Sequence, residues 1–290
     1  MHVFVTYGPA AHRGGRAHLK TASRSVSAAP SRWLLVVVII TAITGVNAIA
    51  ASAAANTPEL TPTSFELVAE TTLAVVAIGL LTAHRWWRYV GFRGPDRVGD
   101  FRLYWLLLIP LIPAAVAALA SSTGTRPSQL VYLLVLASLI GFVEEVFFRG
   151  LILRALVPSG LWRAAIFSST LFGAMHLLNL LFGAEPTATL LQAVYATTLG
   201  FGFAAVTLRT GMLWPVIVIH ASIDFAGFVA ADSTTAQRVG AGDLLVYVLY
   251  ATLFSTYGIV LMRTAVRRRD ALRVARFIPS AERADGRDHP

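Results

Sequence analysis

The stretch LVYLLVLASLIGFVEEVFFRGLILRAL, residues 130–156, decides the fold class of this chain. It is long enough to cross a bilayer, which takes about 20 residues in an α-helix. Two adjacent acids, Glu144 and Glu145, interrupt its apolar sequence, and Arg149 follows them. A charged side chain near the middle of a bilayer is costly, so acids within a span mark a functional site by default. We therefore expect a transmembrane helix that carries functional acids.

The composition supports the same fold class for the whole chain. Hydrophobic residues make up 56% and charged residues 13% of the sequence, and the mean hydropathy is +0.66. These values are typical of a polytopic membrane protein rather than a soluble domain. The absence of cysteine excludes disulfides, thiolate metal sites and a cysteine nucleophile. We predict an all-α polytopic membrane protein.

About eight apolar runs are long enough to span a bilayer, and Pro- and Gly-containing links separate them. The runs lie near 33–53, 65–84, 103–120, 129–153, 163–183, 189–208, 212–230 and 243–264.

The basic residues predict the orientation of these spans. All but two of the 24 Lys and Arg residues flank the side that carries both chain ends, and only Arg126 and Arg238 lie on the other side. By the positive-inside rule, both termini are cytoplasmic. We divide the chain into a basic, disordered arm (1–32), a transmembrane helical domain (33–264, whose core at 129–230 holds the intramembrane polar residues) and a basic cytoplasmic tail (265–290).

The net charge of +9 does not indicate nucleic-acid binding, because the basic residues punctuate apolar runs. Basic clusters at the ends of spans meet anionic lipid, so the bilayer is the expected partner. Abundant Ala and Arg indicate a bacterial protein, which would place it in the inner membrane as a multi-pass protein. The small residues that end the first run resemble a signal-peptidase site, so cleavage there is an alternative to a plain first span.

Polar groups from three predicted spans fall at similar depths. At 1.5 Å per residue, Glu144 lies about 15 Å from the cytoplasmic end of its helix, and His176 about 20 Å. On the seventh span, His220 lies about 12 Å and Asp224 about 18 Å from that side. We expect these side chains to form one intramembrane site.

Helical spacing separates the roles of the two acids. Glu145 and Arg149 are four residues apart, so they share a helix face and can form an ion pair. Glu144 is rotated by about 100° from Glu145, so it is left free for chemistry. His220 and Asp224 share a face by the same spacing. Phe172 shares a face with His176 and is expected to add little to it.

Two kinds of chemistry suit this set of residues. A buried Glu can act as general base on a water that a neighbouring His holds, and a second His with an Asp can stabilise an oxyanion. An ionised Asp is a poor donor, so Asp224 must be protonated or must orient His220. Alternatively, Glu, His and Asp are usual ligands of Zn²⁺, which Glu144, His176 and His220 could bind.

Three short motifs resemble those of the CPBP family of intramembrane proteases, which includes CAAX proteases and bacteriocin-processing (Abi) proteins. EExxxR corresponds to Glu144–Arg149, FxxxH to Phe172–His176, and HxxxD to His220–Asp224. Each motif alone is weak, but their order and matched depth strengthen the resemblance. It covers roughly residues 129–230.

The resemblance implies an intramembrane endopeptidase similar to type II CAAX prenyl proteases. It assigns water activation to Glu144 and His176 and oxyanion stabilisation to His220 and Asp224. Asp224 replaces the Asn of the eukaryotic prenyl-protein proteases. The implied substrate is a protein or peptide, with or without lipid modification. The family is described both as metalloproteases and as glutamate proteases, so the sequence leaves a Zn²⁺ cofactor open.

Two non-enzymatic interpretations also fit the sequence. A bacteriocin-immunity or scaffold protein could keep the fold without catalysis. A transporter or proton relay could use intramembrane Glu and His residues, although no paired repeats are evident. Glu70 in the second span has no partner that the sequence identifies, and Gly200 and Gly202 are expected to permit close helix packing.

Overall fold

Every regular element in the part of the chain that the structure describes is helical. The computed structural model describes residues 32–57, 62–121, 126–231 and 241–277. The predicted basic arm, apart from Arg32, and the last part of the predicted tail lie outside the described residues. The α-helices are α1 (Arg32–Asn56), α2 (Pro62–Ala83), α3 (Trp87–Val90), α4 (Leu111–Ser121), α5 (Pro127–Glu145), α6 (Leu153–Leu156), α7 (Leu161–Met175), α8 (Pro186–Thr210), α9 (Trp214–Ala231) and α10 (Ala241–Phe277).

Tighter and wider helical turns connect or extend several of these helices. The 3₁₀ turns are Val98–Leu103, Trp105–Leu108, Val157–Ser159 and His176–Phe182. A π-helical turn, Val146–Ile152, joins α5 to α6, so that the apolar helix continues from Pro127 to Ser159. The functional acids predicted at the middle of this long helix therefore lie directly before a change of helical pitch.

The eight predicted spans all become helices in the described residues. Six helical segments are long and apolar enough to cross a membrane, and Trp105–Ala120 and Trp214–Ala230 are shorter apolar helices. The prediction of an all-α polytopic membrane protein is confirmed. The last helix extends beyond the predicted span, because α10 continues to Phe277. Residues 265–277 contain neither Pro nor Gly, so nothing in their sequence interrupts the helix.

Apolar side chains cover the outward faces of several helices. Val75, Leu119, Val131 and Leu245 are examples of large hydrophobic residues that are mostly exposed. Lipid is the solvent that suits such surfaces, because a large exposed apolar area is unfavourable in water. This distribution agrees with a multi-pass membrane protein.

Helix pairing brings the three motif-bearing segments together. α5 packs against α9 and α2, while α9 also packs against α4. α8 packs against α7 and α10, and α1 packs against α2. The π-helical turn after α5 lies within the buried core, where all seven of its residues are buried. Elements from α2, α5, α7, α8 and α9 therefore surround the centre of the candidate site.

Candidate active site

The acids of α5 reach α9 because the two helices approach closely at Gly141. A Cβ atom on Gly141 would lie 2.9 Å from the backbone nitrogen of Ala221 and 3.1 Å from the carbonyl oxygen of Ile217. These distances are too short for a methyl group, so only glycine permits this packing. Because Gly141 lies one turn before Glu144 and Glu145, the close approach sets both acids beside α9.

The π-helical turn fixes the position of Arg149. It begins directly after Glu145, and π turns inside α-helices are frequent at functional sites. The carbonyl oxygen of Phe148 within it accepts a hydrogen bond of 2.8 Å from the hydroxyl of Ser168 on α7. This hydrogen bond links the backbone of the π-helical turn to α7.

Glu145 and Arg149 form the ion pair that their spacing predicts. Arg149 Nη1 lies 3.0 Å from Glu145 Oε1, and both side chains are fully buried. The guanidinium carbon lies 4.0 Å from the centroid of the Phe172 ring and 5.7 Å from that of Phe203. An aromatic face attracts a cation electrostatically, so the two rings stabilise the buried charge alongside the carboxylate.

Glu145 also binds His220, which its expected supporting role did not include. His220 Nδ1 lies 2.9 Å from the same oxygen, Glu145 Oε1, that Arg149 contacts. A carboxylate paired with a guanidinium is an acceptor, so the imidazole donates from Nδ1. Glu145 therefore fixes the orientation of His220 in addition to neutralising Arg149.

The other imidazole nitrogen of His220 faces two carboxylates. Nε2 lies 3.5 Å from Glu144 Oε2 and 3.5 Å from Asp224 Oδ2. These are ion-pair distances, longer than a good hydrogen bond. The side chains of Glu144 and Asp224 are 27% and 23% exposed, whereas that of Glu145 is fully buried. Of the two adjacent acids, Glu144 is therefore the accessible one.

His176 lies where α7 ends and a 3₁₀ turn begins. Its Nδ1 lies 3.0 Å from the carbonyl oxygen of Phe172. A carbonyl oxygen only accepts, so Nδ1 donates, and in the neutral ring Nε2 keeps its lone pair. His176 also interacts electrostatically with His220 and Asp224. The structure therefore brings it to the same cluster.

Phe172 has a larger part in this arrangement than the sequence suggested. Its ring makes edge contacts with both histidine rings, at centroid distances of 5.0 Å to His176 and 6.0 Å to His220. It also stacks under Arg149. The expectation that Phe172 adds little is therefore wrong, because one ring contacts three members of the site. The sequence feature that indicated a role for Phe172 was its position as the first residue of the FxxxH motif.

Two further residues of the site, Gly200 and Glu70, belong to none of the three sequence motifs. A Cβ atom on Gly200 would collide with the guanidinium of Arg149 and lie 3.1 Å from the Phe172 ring. Gly200 therefore makes room for the buried cation, which is more specific than the expected helix packing. On α2, Glu70 is buried and interacts electrostatically with Glu144, Glu66 and Asp224.

The proposed zinc ligands do not form a metal site in this arrangement. Within residues 32–57, 62–121, 126–231 and 241–277, no group of three or more His, Asp or Glu side chains is placed to hold a metal ion. Both Nδ1 atoms are used, one by the carbonyl of Phe172 and the other by Glu145. These bonds leave Nε2 of each imidazole as the ring nitrogen available to a water or a metal ion.

The fold and the site define a polytopic membrane protein with a buried cluster of acids and histidines. Residues 126–226, about a third of the chain, match the family described as type II CAAX prenyl endopeptidase Rce1-like. The match contains all three motifs, and it supports the assignment of the chain to the CPBP family of CAAX proteases that the motifs resemble. A search of the curated proteins finds no match, and neither does a search of the solved structures.

Proposed function

We propose that this protein hydrolyses a peptide bond within the membrane, with Glu144 as the general base. The observation that supports this most directly is the position of His220 Nε2, 3.5 Å from both Glu144 and Asp224 while Nδ1 is bound to Glu145. The acids and the imidazole are thus held at one partly exposed point. The family match supports a CAAX-type intramembrane endopeptidase.

Water activation falls to Glu144 and His176. Glu144 forms no ion pair with Arg149 among the described residues, and its carboxylate is partly exposed, so it can accept a proton from water. The lone pair on His176 Nε2 can accept a hydrogen bond from the same water. His176 then holds the water while Glu144 removes its proton.

Stabilisation of the oxyanion falls to His220, with Asp224 beside it. A proton on His220 Nε2 points towards the partly exposed part of the cluster and can be donated to a developing oxyanion. An ionised Asp224 cannot donate, so it serves instead to orient the imidazole and hold that proton. The buried pair Glu145 and Arg149 fixes His220 from the other side.

The reaction then needs no group beyond these side chains and one water. The water oxygen bonds to the peptide carbonyl carbon as Glu144 takes a proton, and the carbonyl oxygen becomes an oxyanion beside His220. Glu144 returns the proton to the peptide nitrogen as the carbon–nitrogen bond breaks. A carboxylic acid and an amine are the products, and Glu144 is ready for another cycle.

The substrate is a peptide segment that enters the bilayer. A partly exposed cluster inside an apolar helical protein suits a membrane-anchored protein, with or without a lipid on its C-terminal tail. We place the protein in the bacterial inner membrane with both termini cytoplasmic, and the site opening toward the cytoplasmic half.

Comparison of protein termini in cells that carry wild-type protein or Glu144→Gln tests the function. We expect a set of cleaved termini to disappear in the variant, and purified variant to cleave a recovered substrate about 100-fold or more slowly. Glu185→Gln, which removes an exposed carboxylate, serves as the matched control. Cleavage by Glu144→Gln at the wild-type rate would overturn the proposal.

A second comparison separates the enzyme from a non-enzymatic scaffold. Combined alanine substitutions at Glu144, His176 and His220 should abolish any cellular phenotype that depends on cleavage. If the phenotype persists while the variant protein is present in the membrane at the wild-type level, the scaffold or immunity interpretation is correct.

A further inference from the structure

Helix α2 contributes two acids to the site from outside the family-matched region. Glu66 and Glu70 are four residues apart, so they lie on one face of α2, about 6 Å apart along its axis. α2 packs against α5, the helix that carries Glu144. Both acids interact electrostatically with Glu144 and Asp224. Both acids lie outside the family match, which begins at residue 126.

Glu70 is buried with an oxygen that lacks a partner. The residue is 8% exposed, and its Oε2 forms no hydrogen bond among the described residues. Burying a carboxylate without a partner is costly, so native proteins pair such groups with hydrogen-bond donors or cations. The nearby groups that act on Glu70 are themselves acids: Glu144, Glu66 and Asp224.

The cations of the site form their ion pairs with acids other than Glu66 and Glu70. Arg149 pairs with Glu145, and His220 contacts Glu145, Glu144 and Asp224. Ion pairs between the described residues include neither Glu66 nor Glu70. The α2 side of the site therefore has an excess of acids and a buried acceptor that no cation of the described chain satisfies.

We propose that Glu66 and Glu70 form an acidic subsite that binds a Lys or Arg side chain of the peptide substrate beside the scissile bond. This inference rests on the proposed endopeptidase function. Glu70 binds the charged head of the side chain, since a charge-assisted hydrogen bond to a buried carboxylate is strong. Glu66, half-buried one turn away, lines the path to it. The two acids thereby select substrates and take no part in bond cleavage.

Matched peptides test the selection directly. Purified protein in lipid discs is given a pool of membrane-inserting peptides that differ at single positions, each with Arg or its neutral isostere citrulline. We expect wild-type protein to cleave the Arg member of a pair roughly tenfold faster at one position near the scissile bond. Glu70→Gln and Glu66→Gln should reduce that ratio towards one, because cleavage of the Arg peptide slows more than cleavage of its citrulline counterpart.

The control variant is Glu185→Gln, which removes one exposed carboxylate at the start of α8 and should keep the Arg preference. If Glu70→Gln slows Arg and citrulline peptides equally, its role is structural or in proton transfer, and the subsite is overturned. If wild-type protein cleaves peptides without an Arg preference, the subsite also fails, although the proposed function stands.

A binding measurement keeps the inference testable without catalysis. Dodecylguanidinium and the neutral dodecylurea are compared as ligands by the shift that each causes in the thermal unfolding midpoint. We expect the cation to stabilise wild-type protein and Glu185→Gln more than the urea does, and to lose this advantage with Glu70→Gln. If the cation stabilises the protein in this way but no peptide is cleaved, the endopeptidase function is rejected and cation binding by Glu66 and Glu70 is retained. Equal stabilisation of all variants by the cation would reject the subsite.

Discussion

Glu145 Oε1 lies 2.9 Å from His220 Nδ1. The fully buried Glu145 therefore orients the histidine that faces the partly exposed Glu144. The same oxygen lies 3.0 Å from Arg149 Nη1. One carboxylate oxygen thus joins a structural cation to a residue with a proposed chemical role. Loss of Glu145 should therefore have two separable effects, one on stability and one on cleavage.

Glu145→Ala should lower the free energy of unfolding by about 3–5 kcal/mol, because it leaves the Arg149 charge buried without its carboxylate. It should also abolish peptide cleavage, since His220 loses the partner of its Nδ1. Unfolding in a denaturing detergent and a peptide cleavage assay measure the two effects.

A double substitution distinguishes these effects. Glu145→Leu with Arg149→Met replaces the ion pair by apolar side chains of similar size, which is often neutral or stabilising for a buried pair. We expect near-wild-type stability without cleavage. Restored cleavage in the double variant would show that His220 does not need Glu145.

Phe172→Leu should weaken both the packing of Arg149 and the placement of the histidines. The substitution removes the aromatic face 4.0 Å from the guanidinium carbon, a contact worth roughly 1–2 kcal/mol when desolvated. Cleavage should fall by about tenfold, because both imidazole rings lose the ring that they contact. The free energy of unfolding and the cleavage rate are measured on the same samples.

Phe167→Leu is the matched control on the same helix. Phe167 is partly exposed and makes an edge contact with Trp33 instead of with the site. Its substitution should change stability by less than about 0.5 kcal/mol and leave cleavage unchanged. Equal losses in the two variants would argue against a particular role for Phe172.

Glu185 caps α8 outside the membrane-spanning segments, and its contribution should depend on pH. Its carboxylate accepts a 2.6 Å hydrogen bond from the backbone N–H of Ala188, and this bond lowers the pKa of Glu185 below its usual 4.5. A lowered folded-state pKa gives stability that is present above pH 4.5 and is lost as the pH falls through the folded pKa. Glu185→Ala should therefore lower the thermal unfolding midpoint at pH 7.

The pH dependence of that difference is the test. Glu185→Ala and wild-type protein should approach the same midpoint as the pH falls below 4.5, whereas Glu185→Asp should stay close to wild type at pH 7. A difference between Glu185→Ala and wild type that persists unchanged at low pH would contradict capping by the ionised side chain.

The spans could be predicted from the sequence because a bilayer imposes a length and an apolar composition on each of them. Within lipid, a helix satisfies its own backbone, so hydropathy alone locates the helices. The end of α10 could not be located in this way, because a helix can continue into residues outside the bilayer. The sequence 265–277 lacks a Pro or Gly that would have marked an end.

Within the site, only contacts between residues of the same helix could be predicted from the sequence. The spacing of Glu145 and Arg149 predicted their ion pair, and that of His220 and Asp224 predicted their proximity. The bond from Glu145 to His220 joins two helices, and no spacing within either helix reveals it. It depends on the close approach at Gly141, which the sequence presents as one glycine among 22.

Adding a single methyl group at Gly200 should disturb the site strongly. A methyl group there would collide with the Arg149 guanidinium, which is fully buried and bound to Glu145 on its other side. Gly200→Ala should therefore lower the free energy of unfolding by about 1–3 kcal/mol through overpacking. Cleavage should fall as well, because a displaced Arg149 shifts the carboxylate that holds His220.

Gly227→Ala provides the control, because a Cβ atom at Gly227 on α9 would meet no atom within 4 Å. An alanine within an unhindered helix is favoured over glycine by roughly 0.5–1 kcal/mol, so this variant should be as stable as wild type or slightly more so. Detergent unfolding and peptide cleavage compare the two substitutions. If Gly200→Ala keeps wild-type stability and activity, the guanidinium has space to move, and Gly200 is not required to accommodate it.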